Sequence, residues 1–113
     1  MKSPRRGEVW LVDLGMAAKI RPALVASVPP ADEDRALVTV IPHTTSVRGT
    51  RFEAPTSVRF LKTGAFEIQG ILTIPLAKLM RSLGVLPPEQ MVAVEMILIR
   101  WLGLPTSKVE GGA

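Results

Sequence analysis

Proline and glycine cut this sequence into short apolar runs, and only one run is left long enough for several helical turns. Ten prolines and nine glycines in 113 residues do the cutting. Residues 7–14 are rich in strand formers and close at Gly15, so they form a first strand. Residues 21–28 make a second, stopped by Pro29 and Pro30, and residues 36–42 a third, with Pro42 at its end where a missing donor is tolerated. Residues 52–59 are interrupted by Pro55 and are expected as an edge strand or two short pieces. Residues 65–75 read as a further strand in which Gly70 marks a bulge or a close backbone approach. In residues 76–86 the spacing of Leu76, Leu79, Met80 and Leu83 suits one or two helical turns ended by Gly84, leaving Val85 and Leu86 to pair briefly.

The long run is at the end. Pro87, Pro88, Glu89 and Gln90 open a helix: proline is tolerated in the first turn, and Glu89 complements the positive end of the helix dipole. Gly103 lies where a left-handed cap belongs, with Pro105 beyond it, so the helix is expected to end at Leu102. Met91, Val94, Leu98 and Trp101 share one stripe, while Val92, Met96, Ile97 and Leu102 lie off it. A helix apolar over more than one face needs a second surface besides the sheet, and another subunit is the expected one. Five or six short strands at close spacing followed by one helix describe a mainly β fold, a strongly curved, partly closed small barrel with a C-terminal helix against it. One domain over residues 1–104 and a disordered polar tail over 105–113 are expected.

Charge and composition narrow the function. Fourteen Lys and Arg against ten Asp and Glu leave a formal net charge of +4, which suits an anionic partner. The five aromatics, Trp10, Phe52, Phe60, Phe66 and Trp101, are too few for a row of base-stacking rings. With no cysteine and a single histidine, His43, neither a thiolate nor a His-rich metal site is available, and no metal or cofactor is expected. The longest run without a charge, residues 36–47, contains Pro42 and falls short of the roughly 20 residues that cross a bilayer as a helix. The N-terminal residues lack an apolar signal stretch, and a cytoplasmic protein is expected.

The second strand carries the most pointed feature. Arg21 opens it, Pro22 fixes the backbone behind, and Ala23, Leu24, Val25 and Ala26 read as a strand buried on both faces. A guanidinium at such a strand mouth suits a bidentate phosphate, or a neighbouring carboxylate. His43 is the one nearby side chain whose ordinary pKa fits proton transfer, although a lone histidine at a strand end is more often a packed, hydrogen-bonded residue.

Four segments, in order and spacing, resemble the MazF/PemK family of toxin endoribonucleases from bacterial toxin–antitoxin pairs. They are Arg6-Gly7-Glu8-Val9-Trp10-Leu11-Val12-Asp13-Leu14, Arg21-Pro22-Ala23-Leu24-Val25, Val40-Ile41-Pro42-His43-Thr44-Thr45-Ser46 and Leu83-Gly84-Val85-Leu86-Pro87-Pro88-Glu89-Gln90-Met91. The resemblance covers about residues 6–104 and implies a small CcdB/PemK-like, that is SH3-like, curved barrel. It also implies a homodimer with single-stranded RNA across its groove, metal-free sequence-selective cleavage of mRNA, and a cognate antitoxin whose C-terminal segment fills that groove. Carried over residue by residue, the catalytic pair is Arg21 and Thr44, with Thr45 and Ser46 as phosphate neighbours. His43 and Gln69 are further candidates for catalysis or RNA contact, and Lys19, Arg48 and Arg51 are the expected RNA-binding cations. Two departures stand out. The loop before Arg21 is short and lacks a carboxylate, and Gln69 is not preceded by the acidic residue many members carry there. Two other functions stay open at this level: a non-enzymatic gyrase inhibitor of CcdB type, in which Trp101 would touch the target rather than pack, and an inactive RNA-binding homologue.

Overall fold

The computed structural model describes residues 3–15 and 20–106. Among these residues seven strands precede one helix: β1 (Glu8–Asp13), β2 (Ile20–Val25), β3 (Leu37–Thr44), β4 (Glu53–Thr56), β5 (Gly64–Glu67), β6 (Leu72–Pro75), β7 (Leu79–Val85) and α1 (Pro88–Leu102). All pairings are antiparallel, in the order β4-β5-β3-β2-β1-β7. β6 adds to the first half of β3, where Leu37–Val40 face Pro75–Leu72, while β5 takes the end of β3 at His43 and Thr44. One edge of β3 thus changes partner midway, across a 3₁₀ turn at Ile68–Gly70. β4 and β7 end the path, so the sheet is curved but not closed by hydrogen bonds among the described residues.

The apolar pattern explains why the middle strands are buried on both faces. On β2, Leu24 points into one core with Val9, Ile41, Phe66, Ile68 and Val94, and α1 covers that side. Its neighbours Ala23 and Val25 point the other way, into a core with Val12, Val38, Val40, Ile74 and Leu79. That second core is filled by side chains of the strands themselves, as a strongly curled sheet allows. Register shifts between β1 and β7, at Val9/Trp10 and Leu11/Val12, add the local twist that such curling needs. The double-sided burial expected of the Arg21 strand is found: Ala23, Leu24 and Val25 are all fully buried.

Three local expectations are corrected. Residues 76–86 form no α-helical turns; a 3₁₀ turn at Leu76–Lys78 leads directly into β7, which pairs with β1. Apolar spacing over so short a run cannot separate helix from bulged strand, and β1 offered a free ladder edge. Gly84 ends no helix. It lies inside β7 beneath Phe60, whose ring carbon would sit 2.6 Å from an added Cβ. Residues 65–75 are two strands rather than one, and Gly70 sits in the turn between them, against the ring of Pro42.

α1 follows its signals closely. Proline occupies the first turn, and Gly103 (φ 68°) is left-handed, with the Leu104 N–H donating to the Ile99 carbonyl at 3.0 Å. Ile97, read as off the stripe, packs with Met91, Val94 and Leu98 onto the sheet. Val92, Met96, Leu102 and Leu104 stay exposed, and Trp101 rests edge-on against Phe52 at 5.0 Å. No helix among the described residues is long and apolar enough to cross a membrane.

Candidate active site

Backbone register brings the two principal residues together. β2 and β3 pair as Ala23↔Pro42, Leu24↔Ile41 and Val25↔Val40; the same register, carried two residues further, sets Arg21 level with Thr44. Both line an open cleft of about 520 Å³, together with His43, Thr45, Ser46, Phe60, Lys62 and Arg81. Leu11 on β1 forms part of the floor between its two cross-strand neighbours, Pro22 and Arg81. Rigid sheet therefore supports the guanidinium and the threonine. The chain leaving β3 folds into a turn in which Thr44 Oγ1 accepts the Ser46 N–H at 3.0 Å, so its own proton is left to donate.

Gly64 holds this turn from behind. Any Cβ there would collide with the Thr44 carbonyl oxygen and press on the His43 ring, so β5 can lie this close to the site only without a side chain at that position.

His43 is packed rather than presented. Its ring lies edge-on to Phe66, centroids 5.3 Å apart, and its Nε2 is buried with no hydrogen-bond partner. Burial lowers its pKa below the usual 6.5, and the nearby Arg21 charge lowers it further. The imidazole is accordingly neutral at pH 7.

Arg21 has a carboxylate partner that the residues around it in the chain did not disclose. Its Nη1 donates to Glu67 Oε1 at 3.0 Å, both side chains being about one-third exposed. Glu67 ends β5, directly opposite Glu53 on β4. It also borders a second, smaller cleft of about 200 Å³ with Arg48, Thr50, Glu53 and Gln69. Glu53 is engaged elsewhere: it accepts the backbone N–H groups of Arg48 (3.0 Å) and Thr50 (2.8 Å), which hold its carboxyl below the usual range.

The expected site residues thus fall into groups. Arg21, His43, Thr44, Thr45 and Ser46 share the main cleft; Arg48 and Gln69 line the smaller one. Arg51 is laid over the Phe52 ring at 4.5 Å and lines neither. Lys19 lies outside the described residues. Lys62, Arg81 and Glu67 were missed. Arg81 was hidden in the segment misread as helical, and Glu67 stands two residues before Gln69, where alternation along a strand would put both on one face.

Comparison with known proteins bears on the fold and the family. An endoribonuclease from a mycobacterial species, in complex with its cognate antitoxin, superposes with a TM-score of 0.79 at 28% identity, covering 91% of this chain and 98% of that one. The Mycobacterium tuberculosis toxin MazF-mt6 gives 0.75 at 28% identity, over 87% and 98% of the two chains. A MazE–MazF complex from Deinococcus radiodurans, 20% identical with a TM-score of 0.78, covers 93% of this chain and 100% of that one and shares the fold. The model of the PemK-like, MazF-like toxins of type II toxin–antitoxin systems matches residues 5–102, nearly the whole chain, and the protein belongs to that family.

Proposed function

We propose that this toxin is an endoribonuclease that cuts single-stranded RNA at selected sequences, using the ribose 2′-OH as nucleophile. The observation that carries this reading is that Arg21 and Thr44, on the paired strands β2 and β3, line one open cleft rich in cations. Attack of the 2′-oxygen on the adjacent phosphorus needs alignment, charge neutralisation on the phosphorane and proton transfer, but no water nucleophile. Arg21 keeps N–H groups beyond the one given to Glu67 and directs them at the phosphate oxygens. The Thr44 hydroxyl donates to the same oxygens, while Lys62 and Arg81 hold the strand by its flanking phosphates. Arg21, Lys62 and Arg81 supply positive charge at the phosphate from the chain itself, so the route proposed is metal-free. The 28% identical endoribonuclease with its cognate antitoxin supports both the reaction class and an antitoxin partner, here one whose C-terminal segment lies in the groove of a homodimer.

The purified protein is expected to cut single-stranded RNA in excess EDTA, leaving 5′-hydroxyl and 2′,3′-cyclic phosphate ends. An otherwise identical strand with 2′-deoxyribose at the cut position should stay whole. Cleavage of that strand, or 5′-phosphate ends, would mean that water attacks and would overturn the reading.

A further inference from the structure

Reaction through the 2′-OH requires a proton acceptor beside the phosphate held by Arg21, and few groups there qualify. His43 presents no open nitrogen on the Nε2 side, since that atom is sealed from solvent, and its ring is wedged against Phe66. Lys62 and Arg81 are cations, and Thr44, Thr45 and Ser46 offer only hydroxyls. Glu67 is different: its side chain is 38% exposed and its carboxylate lies one hydrogen bond, 3.0 Å, from the guanidinium. It lines the smaller cleft of Arg48 and Gln69 and is tied by that hydrogen bond to Arg21 in the main one, so the ion pair links the two clefts.

We propose that Glu67 is the general base of the cleavage, taking the proton of the attacking 2′-OH while Arg21 holds the scissile phosphate. This rests on the RNA-cleaving reading above. In the step, the O2′–H bond breaks and its proton passes to the Glu67 carboxylate as O2′ bonds to phosphorus. The P–O5′ bond breaks, O5′ leaves with the electron pair, and it takes a proton from solvent water. Glu67 then returns its proton to solvent. The ion pair fits this role, because it fixes the carboxylate at the edge of the phosphate site while using only one of the guanidinium's donors. The charged groups facing Glu67 are Arg21 from β2, Glu53 across the β4–β5 ladder, and Arg48 in the shared small cleft. Glu53 does not compete as a base, its oxygens being taken by backbone N–H groups.

Glu67→Gln keeps an oxygen to accept from Arg21 but cannot take a proton. Its kcat is expected to fall by about 10²–10⁴-fold with KM little changed, and the acid limb of the pH–rate profile should disappear. Glu67→His provides a second reading should the amide variant fold poorly: its acid limb should move towards about 6.5, the ordinary value of an imidazole. If the wild type cuts RNA and Glu67→Gln cuts as fast, or Glu67→His leaves the acid limb in place, the base assignment falls while the RNA-cleaving reading stands. If the wild type cuts no RNA, both fall.

Discussion

His43 shows how a residue's surroundings decide its part. In the unfolded chain it titrates near 6.5; in the fold, burial first and Arg21 second hold it lower. Below about 6.5 the unfolded chain therefore binds a proton that the folded chain refuses, and stability is lost as pH falls through that range, whereas above it the full stability is present. Melting temperature should hold steady above about pH 7 and decline towards pH 5, and His43→Gln should flatten that decline. Glu53, whose lowered pKa acts only further down, from the ordinary 4.5, leaves this window to His43. An equal slope in both proteins would show that another group carries the effect. The choice between catalyst and packed residue was open in the sequence because nothing local says that Phe66 comes to lie against the imidazole. Arg21 teaches the same lesson: its position at a strand mouth was legible, but its carboxylate lies 46 residues away and only the β3–β5 pairing brings it near.

At the scale of elements, the signals that worked were the ones with a local mechanism. Pro87, Pro88 and Gly103 marked the ends of α1, and the unbroken apolar run of β2 announced burial on both faces. What failed was periodicity in residues 76–86, where the register shifts of β7 against β1 mimic helical spacing, and there the cation Arg81 went unseen. Gly84 was read as the end of a helical turn, but it and Gly64 serve packing: Gly64 admits the Thr44 backbone, Gly84 the Phe60 ring at the rim of the cleft. α1 also bears on assembly. Val92, Met96, Leu102 and Leu104 leave an apolar face uncovered, which the proposed homodimer would bury. Sedimentation at micromolar concentration should give twice the 12.2 kDa chain mass. A monomer there would remove the intersubunit groove, and with it the proposed seat of the antitoxin.

For the whole molecule, an open curved sheet with a core on each face holds the end of β3 and the mouth of β2 at one cleft, shared by Arg21 and Thr44, and brings Glu67 at the end of β5 into a hydrogen bond with Arg21. The fold class was legible because short punctuated strands and one terminal helix leave few ways to bury both faces of a small sheet. The surroundings of Arg21 and Thr44 were less so, since Lys62 comes from the loop before β5, Arg81 from β7 and Glu67 from the end of β5, all distant in sequence from β2. The central claim is that Arg21 supplies the positive charge on which cleavage depends. Its most direct test is the single-turnover rate of RNA cleavage in EDTA by wild type and Arg21→Ala, with the fold of both checked by thermal melting. Loss of one donor to the transition-state anion should slow the variant by about 10²–10³-fold while leaving a cooperative melt. A folded Arg21→Ala that cuts at the wild-type rate would contradict the account.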